Sequence, residues 1–281
     1  MKKFKIVLFS ALVFMLFEVS VYGFRLLKGH NHVVFADISA VIAATIAFGA
    51  LSHLLIGYKR QGPIDKSVYK WFYLAIGVLL YSLGELTWMI YEAVLSKDPY
   101  PSVADGFWLL GYIPLFIGLL YAVRETRVSF FSARTPLLCL VAGTIIAVSF
   151  VFLMRPILAS TEISLLEKSF DLAYPLLDLF LIIPTLTILI FYERGLLGKP
   201  WLFILSGFLC FTIGDSLFSY FSWIGLFEQY PYRMIDLLWL AGYLAIALGA
   251  IYSEIIAEMR FQPPLRSESS EAEFQLMPTL R

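Results

Sequence analysis

The chain is 281 residues long, 60% hydrophobic and 17% aromatic, with 15% charged residues and a formal net charge of zero. A soluble fold of this size has no interior large enough for that apolar content, and a balanced charge gives no basic field for nucleic acid. Composition therefore excludes a soluble enzyme, a disordered protein and a nucleic-acid binder, and a mean hydropathy of +0.81 makes the lipid bilayer the first expected partner.

A helix that crosses a bilayer needs ~20 mostly apolar residues, and eight runs qualify. The first, 4–24, follows Lys2, Lys3 and Lys5. It has the outline of a signal peptide but lacks a small-x-small cleavage site and holds Glu18 within its apolar part, so it reads as an uncleaved helix. The second, 34–57, carries Asp37 and His53 and follows His30 and His32, an H-x-H too sparse for a metal centre. The third and fourth, 70–95 and 103–123, hold Glu85 and Asp105, with Tyr100-Pro101 between them. The fifth, 135–155, has no comparable acid, and the longest connection, near 156–170, follows it. The sixth, 171–192, carries Tyr174-Pro175 and Asp178. The seventh and eighth, 200–226 and 234–258, hold Asp215 and Asp236, with Tyr230-Pro231 between them. Cys139 and Cys210 sit inside apolar runs and read as buried thiols. The remaining tail is polar and rich in Ser, Pro and Glu, the composition of a solvated, disordered end.

Lys and Arg fall unevenly on the loops. Fifteen lie on the side of the termini and six on the other. The excess of positive charge marks the cytoplasmic face, so the expected location is the cell membrane, multi-pass, with both termini cytoplasmic.

An internal repeat is visible in the sequence. At an offset of 130, Trp71, Gly77, Leu79 and Gly84-Glu85 match Trp201, Gly207, Leu209 and Gly214-Asp215, and Tyr100-Pro101 matches Tyr230-Pro231. One inserted residue later, Asp105, Trp108, Leu109, Gly111, Tyr112, Gly118 and Tyr121 match Asp236, Trp239, Leu240, Gly242, Tyr243, Gly249 and Tyr252. Each even-numbered run carries an Asp near its outer end: Asp37, Asp105, Asp178 and Asp236. The expected fold is therefore all-α: eight transmembrane helices as two parallel four-helix repeats, 1–123 and 135–258, with a disordered cytoplasmic tail, 261–281.

Glu85 and Asp215 are the acids that helix-end chemistry does not explain. Each lies about 15 residues into its run, roughly 22 Å along a helix. Tyr81, Glu85, Trp88 and Glu92 share one helical stripe, and Phe211, Asp215, Phe218 and Ser222 share its counterpart. A carboxylate facing lipid is costly, so both stripes are expected to face the bundle interior. The functional reading is an outward-facing pocket walled by Glu85, Asp215, Asp105 and Asp236, with Trp88, Trp108, Trp239, Tyr112 and Tyr243. Carboxylates beside aromatic rings suit a cation or an amine. The structural alternative makes the outer Asp residues helix caps, Asp105 following Ser102 at capping-box spacing. It makes Glu85 and Asp215 interhelical hydrogen-bond partners and the aromatic residues an interfacial belt. No metal cluster, catalytic motif or cofactor motif is present, and no cofactor is expected.

The segment Tyr100-Pro101-Ser102-Val103-Ala104-Asp105-Gly106-Phe107-Trp108-Leu109-Leu110-Gly111-Tyr112, with Gly84-Glu85 upstream, resembles multi-helix membrane modules found ahead of diguanylate cyclase and histidine kinase domains in bacterial signalling proteins. The resemblance covers mainly the third and fourth runs and, through the repeat, the seventh and eighth. It implies a sensory input module. Only the polar tail follows the eighth run here, so such a sensor is expected to signal through a separate cytoplasmic partner. The sequence reading is thus a non-enzymatic membrane sensor or ligand-binding module. A small cation- or proton-coupled transporter or channel is the alternative, and an intramembrane enzyme or a structural subunit has less support.

Overall fold

The protein is described here by a computed structural model covering residues 2–61, 68–126, 132–161, 164–191, 198–227 and 229–261. The polar tail beyond Phe261 lies outside the described residues. Among the described residues the chain is all-helical, with eight helices long and apolar enough to cross a membrane. They are α1 (Lys2–Gly23), α2 (His30–Gln61), α3 (Tyr69–Met89, continued by a π turn at Ile90–Val94) and α4 (Val103–Arg124). Then come α5 (Thr135–Ser149, continued through a π turn at Phe150–Met154 to Ala159), α6 (Leu165–Phe191), α7 (Lys199–Trp223) and α8 (Asp236–Phe261, entered by a 3-10 turn at Tyr232–Ile235).

Two details differ from the sequence reading. The connection expected over 156–170 is mostly helical: α5 continues to Ala159 and α6 opens at Leu165. Ser164 and Glu167 close a reciprocal cap at that opening, with Glu167 Oε2 accepting from Ser164 N at 2.9 Å and Ser164 Oγ from Glu167 N at 3.2 Å. Asp178, expected near a helix end, is consequently in the middle of α6. The thiol at Cys139 is exposed rather than buried, and that at Cys210 is half-buried. Cys139 lies on α5, whose span is the least covered by protein, a face suited to lipid.

Six helices pack in an order that closes on itself: α2 on α3, α3 on α4, α4 on α6, α6 on α7, α7 on α8 and α8 on α2. Outside this ring α1 lies along α8 and α5 along α6. Phe4, at the start of α1, meets Phe203 near the start of α7 and Tyr252 late in α8. At the opposite end of α1, Tyr22 reaches Asp236 at the start of α8. One end of the bundle therefore carries the N-terminus and the exit of α8.

Small residues set the tightest contacts, as expected where lipid gives no hydrophobic drive for helix association. A Cβ added at Gly77 of α3 would stand 3.1 Å from the Gly111 carbonyl oxygen of α4; one at Gly207 of α7 would stand 2.8 Å from that of Gly242 in α8. Trp108 lies over Gly84, and Trp239 over Gly214. Across the middle of the ring α3 and α7 meet through aromatic rings: Trp71 stacks on Trp201 at 5.3 Å, and Tyr81 meets Phe211 at 5.7 Å. Trp71 and Trp201, like Tyr81 and Phe211, are 130 residues apart in the sequence.

Candidate ligand-binding site

The end of the bundle away from the N-terminus holds a cavity of about 820 Å³, a figure that includes the open space at its mouth. Of the nine residues singled out in the sequence, eight line it: Glu85, Trp88, Asp105, Trp108, Asp215, Trp239, Asp236 and Tyr243. Tyr112 stands behind the wall and reaches it through its hydroxyl. The sequence did not single out Asp37, Tyr174 and Arg233 as pocket residues, yet all three line the cavity.

The carboxyl groups are held from helices other than their own. Glu85 of α3 accepts from the Tyr243 hydroxyl of α8 at 2.7 Å. Asp215 of α7 accepts from the Trp239 indole of α8 at 2.7 Å and lies 3.1 Å from the Tyr112 hydroxyl of α4. The two tyrosines are 131 residues apart in the sequence and the two acids 130. Each Tyr thus crosses from one helix pair to the acid of the other. The sequence places these acids on inward stripes; the tyrosine donors were legible only as neighbours.

Asp105 serves two purposes. Its Oδ2 accepts from the Ser102 backbone N–H at 2.6 Å, completing the capping box read from the sequence. Its Oδ1 accepts from the Tyr174 hydroxyl of α6 at 2.6 Å. Asp236 accepts from Tyr22 at 3.1 Å and lies 3.7 Å from Arg233 Nε. The Arg233 guanidinium also grips Glu92 with two nitrogens, at 2.6 and 3.2 Å, and Glu92 takes the Trp88 indole N–H at 2.6 Å. This bidentate pairing ties the end of α3 to the entry of α8.

Asp178, mid-helix in α6, is buried and shares the Tyr112 hydroxyl with Asp215, at 2.8 Å. A hydroxyl has one proton to donate, so only one of these two contacts is a donation from Tyr112. Nearby, in the connection between α3 and α4, the Tyr100 hydroxyl donates to Asp171 at 2.5 Å. Burial first, and then the Asp171 carboxylate, hold the Tyr100 phenol well above its ordinary range, so it remains a donor.

The site is therefore acidic and aromatic at once. Five carboxyl residues and one guanidinium are among its described lining residues, with rings from α3, α4, α6, α7 and α8 around them. Among the described residues no three His, Cys, Asp or Glu side chains group closely enough to share a metal ion. His32 packs against Tyr22 at 4.6 Å, and His53, at the other end of α2, meets Glu254 at 2.7 Å. Comparison with protein-family models, curated proteins and solved structures returned no match for this chain.

Proposed function

We infer that this protein is an integral membrane ligand-binding module, a non-enzymatic sensor whose pocket takes a cation or an amine. The observation that carries this reading is the cavity in which Asp37, Glu85, Asp105, Asp215 and Asp236 converge among aromatic rings, while Arg233 is already engaged by Glu92. Carboxylates and ring faces both attract positive charge, and removal from water strengthens both. On this reading Glu85, Asp215, Asp105, Asp236, Trp88, Trp108, Trp239, Tyr112 and Tyr243 form or support the binding wall. A cytoplasmic partner would carry the signal onward, in keeping with the resemblance to bacterial sensory modules.

The architecture we propose for it is a pair of four-helix repeats related by an axis along the membrane normal, with the pocket facing outward and both termini inside. Supporting this are the matched glycine contacts and the exchange of tyrosines between the helix pairs. The packing order of the ring is also unchanged when α2, α3 and α4 trade places with α6, α7 and α8.

The test is the thermal stability of the purified protein against pH and a panel of inorganic cations and amines, beside a Glu85→Gln/Asp215→Asn double variant. Concentration-dependent stabilisation of the natural protein that vanishes in the variant is the expected result. An absence of response to every member of the panel would overturn the reading. A second reading, a cation- or proton-coupled transporter, is favoured by one observation: the Tyr112 hydroxyl shared between Asp178 and Asp215, behind the pocket wall. Uptake of a stabilising cation into proteoliposomes, with an opposing proton movement, would select it over the sensor.

A further inference from the structure

The carboxyl groups of the pocket are not equivalent. Glu85 has Tyr243, Asp105 has Tyr174 and the Ser102 N–H, Asp215 has Tyr112 and Trp239, and Asp236 has Tyr22 and Arg233. Asp37 differs. It is only 6% exposed, it lines the cavity, and its Oδ2 is buried without a hydrogen-bond partner. No described donor reaches this side chain. It lies seven residues inside α2, so it is not a cap whose partner is the helix start. Buried acids in proteins are nearly always hydrogen-bonded or paired, and one that is not calls for a counterpart.

The surroundings fit a counterpart that enters the cavity. Ala36 and Ala40, one residue before and three after, are the other α2 residues on the cavity wall. Their short side chains leave space beside the Asp37 carboxylate, where larger residues would fill it. The remaining wall is largely aromatic, including Trp88, Trp108, Phe218 and Trp239. A multivalent metal ion needs several oxygens at once, and the described acids do not cluster that way. A single positive charge carried on an apolar body matches one unpaired carboxylate beside a wall of rings.

We propose that Asp37 is the anchoring counter-charge of the pocket and that its ligand is a monovalent organic ammonium with an aromatic or apolar body. The ammonium donates its N–H groups to Asp37, and the body lies among the indole and phenyl rings. Glu85, Asp105, Asp215 and Asp236 stay with their tyrosine, tryptophan, arginine and backbone donors and shape the site. This proposal rests on the pocket reading above and narrows it to one class of ligand and one anchor.

Phenethylamine and its neutral counterpart 2-phenylethanol are the probes, titrated against the detergent-solubilised full chain and followed by thermal shift and isothermal calorimetry. The amine is expected to bind at least tenfold more tightly than the alcohol. Asp37→Asn should fold with unchanged or higher stability without ligand, because no hydrogen bond is lost, and should lose at least tenfold in amine affinity. Asp37→Glu should retain part of it. Amine binding within twofold of the natural protein in Asp37→Asn would overturn the assignment of the anchor while leaving the pocket reading intact. Stabilisation by inorganic cations alone would do the same, whereas equal binding of amine and alcohol would overturn the anchor and the cationic reading of the pocket together. Failure of Asp37→Asn to fold would also overturn it, since it would make the carboxylate a structural partner. No response of the natural protein to any amine or cation would remove both readings together.

Discussion

Tyr112 and Tyr243 each bring a hydroxyl to a carboxyl group that belongs to the other pair of helices. A phenol that loses this role leaves a buried acceptor without its donor, a loss of about 1–3 kcal/mol. Tyr243→Phe is therefore expected to lower the unfolding temperature in detergent, and Glu85→Leu, which removes the acceptor, to lower it as well. In a double-mutant cycle the two should couple by about 0.5–3 kcal/mol. Independent, additive effects would mean that the 2.7 Å bond contributes nothing. At this scale the sequence is a good guide to acids and a poor one to their partners. Glu85 and Asp215 stand out because carboxyl groups are rare deep in apolar runs. Arg233 did not, because a base beside Tyr230-Pro231 reads as a loop charge. Its bidentate hold on Glu92 depends on where α3 ends, which composition does not give. Asp37 was legible as an outer acid, but its lack of a donor is visible only once every neighbouring hydroxyl and N–H has been placed.

Helix pairs α3–α4 and α7–α8 are built by close backbone approach. At Gly207 an added Cβ would meet a backbone carbonyl oxygen 2.8 Å away, and no rotamer change relieves that. Gly207→Ala should force the helices apart, at about 1–3 kcal/mol. Gly49 has nothing within 4 Å of the same virtual atom. Gly49→Ala should be neutral, or stabilising by about 0.5–1 kcal/mol through helix propensity. Thermal unfolding of the two variants side by side checks the contrast, and equal losses would argue against the packing. The repeat-matched glycines are readable from the sequence as points of close helix contact. The limits of α5 and α6 are not. Arg155-Pro156 reads as a stop, whereas the chain passes it through the π turn at Phe150–Met154 and stays helical to Ala159. The start of α6 does have a signal, since Ser164-Leu165-Leu166-Glu167 has capping-box spacing. The charged pair Glu167-Lys168 outweighs it, because it lowers local hydropathy.

For the molecule as a whole, the proposed direction across the membrane rests on charge counting in the sequence and is open to direct test. In the sequence the Lys and Arg excess falls on the termini and on the connections assigned to their side. A reporter fused after Arg281 that is active only in the cytoplasm is expected to be active, and one inserted in the connection between α1 and α2 to be silent. The reverse pattern would invert the molecule and turn the pocket inward. Eight crossings were legible from hydropathy alone, because lipid requires long apolar helices. The closed order of six helices, with α1 and α5 outside it, was not, since every run is apolar enough to occupy either place.

The stack of Trp71 on Trp201 also has an optical consequence. Two indoles 5.3 Å apart and within 17° of parallel exchange excitation energy and split their ultraviolet transitions. They belong to α3 and α7 and sit at the far end of the bundle from the cavity. A ligand that shifts α3 relative to α7 would thus change the circular dichroism couplet of this pair, and Trp71→Phe would erase it. The protein carries its own label for motion between α3 and α7.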